Sequence, residues 1–196
     1  RAGRVPYPLP RTEHALLAEL QAGRPVLVLQ NLLTRSVPKW HYAVLVGVDG
    51  TRNQVLLHSG KTPAMPMAAP KFMRTWDWGG RWAMVALRPG EMPAGAEPMP
   101  YLAAVADFEA VAGAAAATPA YQAAQQRWPD DPRVYLALGN QAVGAGDWHA
   151  AADLFRTGLG HAPGDPVLSN NYAAAMGTIG CRAQALRALD AVAGNA

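Results

Sequence analysis

Residues 40–60 read WHYAVLVGVDGTRNQVLLHSG, and this stretch decides the fold of the first half of the chain. Two runs of mostly branched apolar residues flank an Asp-Gly pair at residues 49–50, which is a strong short-range signal for a β-hairpin. The first run is apolar at nearly every position, which predicts a strand buried on both faces. His41 opens that run, and His58 and Ser59 end the returning strand.

The residues before the hairpin predict one helix and one strand. Three prolines within residues 1–10 predict extended backbone, because each ring restricts its own φ angle and the conformation of its predecessor. Thr12 is predicted to cap a helix that ends near Gly23. Residues 26–30 (VLVLQ) predict a buried strand, and residues 31–40 a loop that leads into the hairpin.

The residues after the hairpin complete a small domain. Residues 61–70 contain three prolines and several methionines, which predicts an irregular loop. A short helix is predicted from Pro70 to Trp76, followed by a strand over residues 81–87. This order of elements predicts an α+β domain over residues 1–88 with a small, mostly antiparallel sheet.

Composition restricts the chemistry. About half of the 196 residues are hydrophobic, yet no window approaches the ~20 apolar residues of a membrane span, so no transmembrane segment is predicted in this chain. The single cysteine, Cys181, excludes an internal disulfide and a cysteine-rich metal site. The histidines have no partners at ligand spacing, so no metal or cofactor is predicted. Because the chain starts at Arg1, we expect a processed or truncated product.

The net charge of +3 conceals an asymmetry between the two halves. Residues 1–88 carry twelve Lys and Arg against four Asp and Glu, whereas residues 89–196 carry five against ten. This change of sign predicts a domain boundary near residue 90. The basic residues are scattered and accompany no nucleic-acid-binding motif, so no nucleic-acid partner is predicted.

The second half is a repeat. Residues 89–100 (PGEMPAGAEPMP) read as a Pro- and Gly-rich linker, and residues 101–196 follow a period of 34. The period relates small residues, large apolar residues and closing prolines, namely Ala117, Ala151 and Ala185; Tyr121, Phe155 and Leu189; and Pro129 and Pro163. A 34-residue period of this kind is the tetratricopeptide signature, so about three such repeats are predicted, with a degenerate first copy in which Pro119 lies at or near the start of its second helix.

The strand sequences of the first half resemble a known family. The strings GRPVLVLQN, WHYAVLVGVDG and QVLLHSG resemble the C-terminal half of papain-like peptidases related to the double-glycine leader peptidases of bacteriocin exporters. A bacterial group in which such a peptidase domain precedes tetratricopeptide repeats is more similar still. The resemblance implies that residues 1–88 form part of a papain-like cysteine peptidase domain, a hydrolase that acts in proteolysis.

The resemblance also implies roles for individual residues. His41 corresponds to the general base that activates a cysteine, and Ser59 occupies the position of the orienting Asp or Asn. The nucleophile and an oxyanion-hole glutamine are expected upstream of His41, in an N-terminal peptidase segment missing from this chain. Cys181 follows His41 and falls in the third repeat, so it is predicted to be structural. A chain without the nucleophile is expected to be inactive alone.

Two functions stay open from the sequence. The first is a cysteine peptidase that uses an upstream cysteine and His41 and whose repeats bind a protein substrate or partner. The second is a non-catalytic scaffold that binds proteins or peptides in the groove of its repeats. The alternative for His41 is a hydrogen-bonded histidine at a core edge, and the tryptophans of the first half either line a cleft or fill the core. Relatives of this kind are often exported, which suggests a periplasmic protein or a membrane-anchored lipoprotein.

Overall fold

A computed structural model describes residues 3–193 of the chain, and it has an α+β architecture. The described residues contain a six-stranded sheet and eight helices. The chain divides into two compact units, one with residues 4–88 and 92–96, the other with residues 89–91 and those from 97 onward.

The first unit contains the whole sheet and two helices. Its elements are β1 (Val5–Pro8), α1 (Glu13–Gln21), β2 (Val26–Asn31), β3 (Trp40–Asp49), β4 (Gln54–Ser59), β5 (Thr62–Ala68), α2 (Ala69–Trp78) and β6 (Ala83–Leu87). The strand order is β1-β6-β2-β3-β4-β5, and every neighbouring pair is antiparallel. The prediction of a mostly antiparallel sheet in an α+β protein is confirmed.

The hairpin at the centre of the sheet forms as predicted. β3 and β4 pair from Val44 opposite His58 to Asp49 opposite Gln54. The Asp49 carboxylate closes the turn, since its Oδ1 accepts hydrogen bonds from the backbone N–H groups of Thr51 and Arg52 at 3.1 Å each. A β-bulge between Leu45 and Gly47 shifts the register of the pair and increases the local twist.

One face of the sheet forms the core of this unit. Val28, Ala43, Leu45 and Leu57 are at most 2% exposed on that face. The alternate residues of β3 are half-buried or exposed, so the prediction that both faces of this strand are buried is wrong. The run is apolar at almost every position, but only its odd-numbered members up to Leu45 enter the core.

The segment predicted to be an irregular loop is a strand. β5 pairs with β4 over residues 62–68, although it contains Pro63 and Pro66. The prolines are compatible with a strand because β5 lies at the edge of the sheet, where one side of the backbone needs no ladder hydrogen bonds. The prediction of an irregular loop is therefore wrong, because the prolines lie at a sheet edge that tolerates them.

The N-terminal residues and the first helix agree with the sequence patterns. β1 lies within the extended segment that the prolines predict, and it pairs with β6. Thr12 caps α1, because its Oγ1 accepts a hydrogen bond from the backbone N–H of Ala15 at 3.3 Å. The helix also supplies Glu19, which is 1% exposed, forms an ion pair with Arg24, and accepts a hydrogen bond from the backbone N–H of Ala94 at 2.6 Å.

The second unit is helical in its described residues. Its helices are α3 (Pro98–Ala112), α4 (Ala114–Arg127), α5 (Pro132–Gly144), α6 (Trp148–His161), α7 (Pro166–Thr178) and α8 (Arg182–Ala193). The closest packing is between helices that follow one another along the chain. Equivalent features recur 34 residues apart, since Asp131 and Asp165 cap α5 and α7, and Gly146 and Gly180 adopt positive φ in the turns after them.

Small residues allow the helices of this unit to approach closely. Gly139 on α5 faces the ring of Phe155 on α6, and a Cβ atom at Gly139 would lie 2.2 Å from Phe155 Cε1. Phe155 is 1% exposed and belongs to a buried cluster with Ala151 and Leu168.

Pro119 is the sixth residue of α4, further inside the helix than the sequence suggested. Among residues 3–193, no helix is long and apolar enough to cross a membrane.

Asp131 gives a pH-dependent contribution to the stability of this unit. It caps α5 and is bound by the Arg133 side chain, whose hydrogen bond holds the pKa of the Asp131 carboxyl below its ordinary value. Because the pKa of the carboxyl is lower in the folded state than its unfolded-state value of about 3.9, the ionised carboxylate stabilises the fold at pH values above about 3.9. This contribution is lost as the pH falls through the folded-state pKa. Asp131→Ala is therefore expected to cost about 1 kcal/mol at pH 7 and less near pH 2.

Urea unfolding at the two pH values measures this difference. Asp130→Ala is the matched control, because Asp130 is adjacent, its side chain is 91% exposed, and it caps no helix. The control is expected to change the free energy of unfolding by less than about 0.5 kcal/mol at either pH. An Asp131→Ala deficit that stays constant down to pH 2 would contradict the ionic part of the argument.

Candidate functional site

The candidate site lies where β3 begins and β4 ends. His41 is the second residue of β3 and lies opposite Gln30 of β2, on the same face of the sheet as the buried Ala43 and Leu45. Ser59 is the last residue of β4. The hairpin therefore brings together two residues that are 18 positions apart in the sequence.

A hydrogen bond joins the two residues. His41 Nε2 lies 2.7 Å from Ser59 Oγ. The imidazole is half-buried at the end of the core face, and its Nδ1 atom makes no hydrogen bond with any residue that the structure describes. One ring nitrogen is thus held by the protein while the other is left for a further proton donor or acceptor. If Ser59 accepts the proton of Nε2, the lone pair of Nδ1 is available as a base.

β4 has a register irregularity against each of its two neighbouring strands. The register of β4 shifts against β3 between Leu45 and Gly47, and against β5 between Leu57 and Ser59. A bulge adds a residue to one strand and redirects the side chains that follow it. The second bulge directly precedes the serine, whose partner on β5 is Thr62. Gly60 completes the turn with a φ of 57°.

A buried polar pair beside His41 was not found from the sequence. Gln30 is 1% exposed, and its Nε2 donates a hydrogen bond to Thr75 Oγ1 at 2.7 Å. Thr75 is itself 4% exposed on α2 and donates to the backbone carbonyl of Phe72. The pair fixes α2 over the core face next to the strand that carries His41. The one available signal was the position of Gln30, a polar residue that ends an otherwise apolar strand.

The other residues considered from the sequence lie elsewhere. His58 is exposed, and its Nδ1 accepts a hydrogen bond from the backbone N–H of Ala64 at 2.9 Å, so it closes the β4–β5 turn. Cys181 lies in the helical unit, between α7 and α8, and is half-buried. Trp76 belongs to the core at 0% exposure, whereas Trp40 is 57% exposed next to His41.

No metal centre is formed by the residues that the structure describes. Among them, no three His, Cys, Asp or Glu side chains are close enough to hold an ion together. His41 and Ser59 themselves provide an imidazole with a hydroxyl partner. No known family model matches the chain, and no curated protein matches it significantly.

Proposed function

We propose that the chain is the histidine-bearing part of a bacterial papain-like cysteine peptidase. His41 would act as the general base, Ser59 would hold its ring, and helices α3–α8 would form tetratricopeptide repeats that bind a protein substrate or partner. The observation that carries the proposal is the 2.7 Å contact between His41 Nε2 and Ser59 Oγ, with Nδ1 unengaged among the described residues. A thiol supplied by chain outside residues 1–196 would complete the site.

The proposed chemistry assigns one task to each group. His41 Nδ1 would remove the proton of the thiol, and the thiolate would attack the carbonyl carbon of the scissile peptide bond. The imidazolium would then return the proton to the leaving amine, which releases the first product and leaves an acyl-enzyme for water to hydrolyse. Ser59 would keep the ring in the tautomer that this step needs. A serine cannot stabilise the imidazolium as a carboxylate does, so Ser59→Asp should accelerate the reaction.

A thiol-directed peptidase probe tests this proposal. The chain is labelled together with any residues encoded upstream of Arg1, in a Cys181→Ser background that removes the competing thiol. Labelling is expected to fall at least about 100-fold with His41→Ala, because the general base is lost. His58→Ala is the control and should label normally, since His58 is exposed and bonded to its own turn.

Two results would contradict the peptidase proposal. Labelling that survives His41→Ala unchanged would mean that the thiol reacts without this base. Absence of any labelled thiol in the Cys181→Ser background would leave the site without a nucleophile. The second outcome would favour a non-catalytic, protein-binding function.

The alternative is a non-catalytic scaffold that binds peptides with its repeats. A surface pocket of about 200 Å³ favours it, lined by Asn140, Val143, Trp148, Phe155, Asn171 and Ala174. Asn171 Nδ2 donates to Asn140 Oδ1 at 3.1 Å, so two amide groups on α5 and α7 are already aligned at this pocket. If binding of a partner is lost with Asn140→Ala and unaffected by His41→Ala, the scaffold reading is supported.

A further inference from the structure

The face of the sheet opposite the core is apolar. On β6, β2 and β3, six apolar residues alternate with the core residues of their strands and therefore point away from the core. We call these six residues the outer face: Leu27, Leu29, Trp40, Tyr42, Val44 and Met84. Several of these residues are direct neighbours across adjacent strands, since Leu27 lies opposite both Val44 and Met84, and Leu29 lies opposite Tyr42. The outer face therefore spans β6, β2 and β3, the middle of the sheet.

The composition of the outer face is that of an interface. An antiparallel sheet that faces water on one side usually alternates apolar residues inward with polar residues outward. The outward side of β6, β2 and β3 carries these six apolar or aromatic residues, and its polar neighbours are Asn31, opposite Trp40, and His58 of β4, opposite Val44. Trp40 and Tyr42 are nevertheless 57% and 59% exposed. A single exposed apolar residue is ordinary, but a contiguous set on a rigid sheet indicates a surface that another layer covers.

The size of the outer face fits a helix. Trp and Tyr side chains each bury about 150–250 Å² when fully covered, so the exposed parts of Trp40 and Tyr42 alone offer roughly 200 Å². With their half-buried neighbours, the surface reaches the several hundred Å² at which apolar patches are often functional. Three strands about 4.8 Å apart give a strip about 10 Å wide, close to the diameter of one α-helix.

The charges of the unit indicate an acidic partner. The acidic side chains of residues 4–88 all form ion pairs, namely Glu13 and Asp77 with Arg81, Glu19 with Arg24, and Asp49 with Arg52. Basic side chains in the same range form no ion pair with a described residue at Arg4, Arg11, Arg35, Lys39, Lys61, Lys71 and Arg74. Arg35 and Lys39 are exposed in the segment that leads directly to Trp40.

We propose that the outer face binds an acidic amphipathic helix of a partner protein. The apolar stripe of that helix would cover Tyr42 and Val44, and its carboxylates would lie near Arg35 and Lys39. A second copy that pairs through the same face fits less well, because two sheet units of the same excess positive charge would face each other. An anionic lipid surface also fits less well, since Leu27, Leu29 and Val44 are half-buried among their neighbours and do not protrude as inserting residues do.

The proposal does not depend on the peptidase function. Tyr42 and His41 are consecutive residues of β3, so their side chains lie on opposite faces of the sheet. His41 reaches Ser59 from the core face, whereas Tyr42 contacts the Trp82 ring edge-to-face at a centroid distance of 5.7 Å. Binding at the outer face can therefore be measured while His41 and Ser59 are left unchanged.

Two synthetic helices test the proposal on the full chain. Both are about 18 residues long with the same leucine stripe, and their polar faces carry either glutamate or lysine. Titration with tryptophan fluorescence and calorimetry is expected to give a micromolar Kd for the glutamate helix and a Kd at least about tenfold weaker for the lysine helix. Added salt should weaken the binding of the glutamate helix.

Two charge-matched variants locate the binding surface. Tyr42→Glu places a carboxylate on the outer face and should weaken binding of the glutamate helix at least about tenfold. Leu17→Glu changes the net charge by the same amount on α1, where Leu17 is 42% exposed, and should leave the Kd within about twofold. Both variants should stay folded, although Tyr42→Glu also removes the edge-to-face contact with Trp82 and should lower the melting temperature by a few degrees.

Several outcomes would overturn the proposal. Neither helix binding, both binding equally, or binding that Tyr42→Glu leaves unchanged would each exclude an acidic helix at this face. Concentration-dependent dimers that Tyr42→Glu abolishes, with no binding of the glutamate helix, would identify a second copy as the occupant. Binding to phosphatidylglycerol vesicles without binding of the glutamate helix would identify a lipid surface.

Discussion

Replacing Gly139 with alanine is expected to lower the free energy of unfolding of the helical unit by about 3 kcal/mol. The added Cβ would lie 2.2 Å from Phe155 Cε1, far inside van der Waals contact. Phe155 is 1% exposed and belongs to a buried cluster with Ala151 and Leu168, so a shift of the ring disturbs that packing. Either the ring leaves its rotamer or α5 and α6 separate. Urea unfolding monitored by circular dichroism measures the loss.

A glycine on the same helix provides the control. Nothing lies within 4 Å of a Cβ built at Gly144, so Gly144→Ala adds helix propensity without a clash and should raise stability by up to about 1 kcal/mol. The double variant Gly139→Ala with Phe155→Leu should lose less than the sum of its single variants, because the smaller side chain makes room for the methyl group. Equal effects of the two glycine substitutions would show that the close approach of α5 and α6 is unimportant.

Truncation of Trp76 to alanine is expected to destabilise the sheet unit by about 4 kcal/mol. Trp76 is 0% exposed in α2 and stacks on Phe72 at a centroid distance of 6.0 Å. Its Nε1 donates a hydrogen bond to the backbone carbonyl of Trp82 at 3.1 Å, and the Arg81 guanidinium lies over its ring. The substitution thus removes a large apolar side chain and also the hydrogen bond between α2 and Trp82, the residue directly before β6.

Trp40→Ala is the comparison for this prediction. The same side chain is removed, but Trp40 is 57% exposed, so the free energy of unfolding should fall by less than about 1 kcal/mol. Denaturant unfolding monitored by circular dichroism compares both variants with the parent chain. Equal losses of unfolding free energy for Trp40→Ala and Trp76→Ala would show that burial in the core does not set the cost of removing a tryptophan.

Local patterns in the sequence predicted the centre of the sheet well. The Asp-Gly pair at residues 49–50 predicted where the hairpin turns, although the left-handed residue of that turn is Asn53 and not Gly50, and Thr12 predicted the start of α1. Both signals act over a few residues and need no knowledge of the rest of the chain. The nearness of His41 and Ser59 follows from the same hairpin, whereas their roles in catalysis stay a prediction.

Features that depend on distant parts of the chain were not predictable. β5 contains two prolines, and only the strand order shows that it lies at an edge where prolines are tolerated. The burial of β3 on a single face depends on which face α2 covers. The pairing of Gln30 with Thr75 joins residues 45 positions apart, and neither residue type signals the other.

The carboxylate of Glu19 also affects where the sheet unit ends along the chain. It is buried in this unit and accepts the backbone N–H of Ala94, which lies beyond the last strand. A chain cut directly after Arg88 would leave one Glu19 oxygen without this donor in a site that water barely reaches, which is costly for an ion. The smallest part of the first half that folds by itself should therefore extend to about residue 96. The residues after β6 thus stabilise the sheet unit as well as connecting it to the helices.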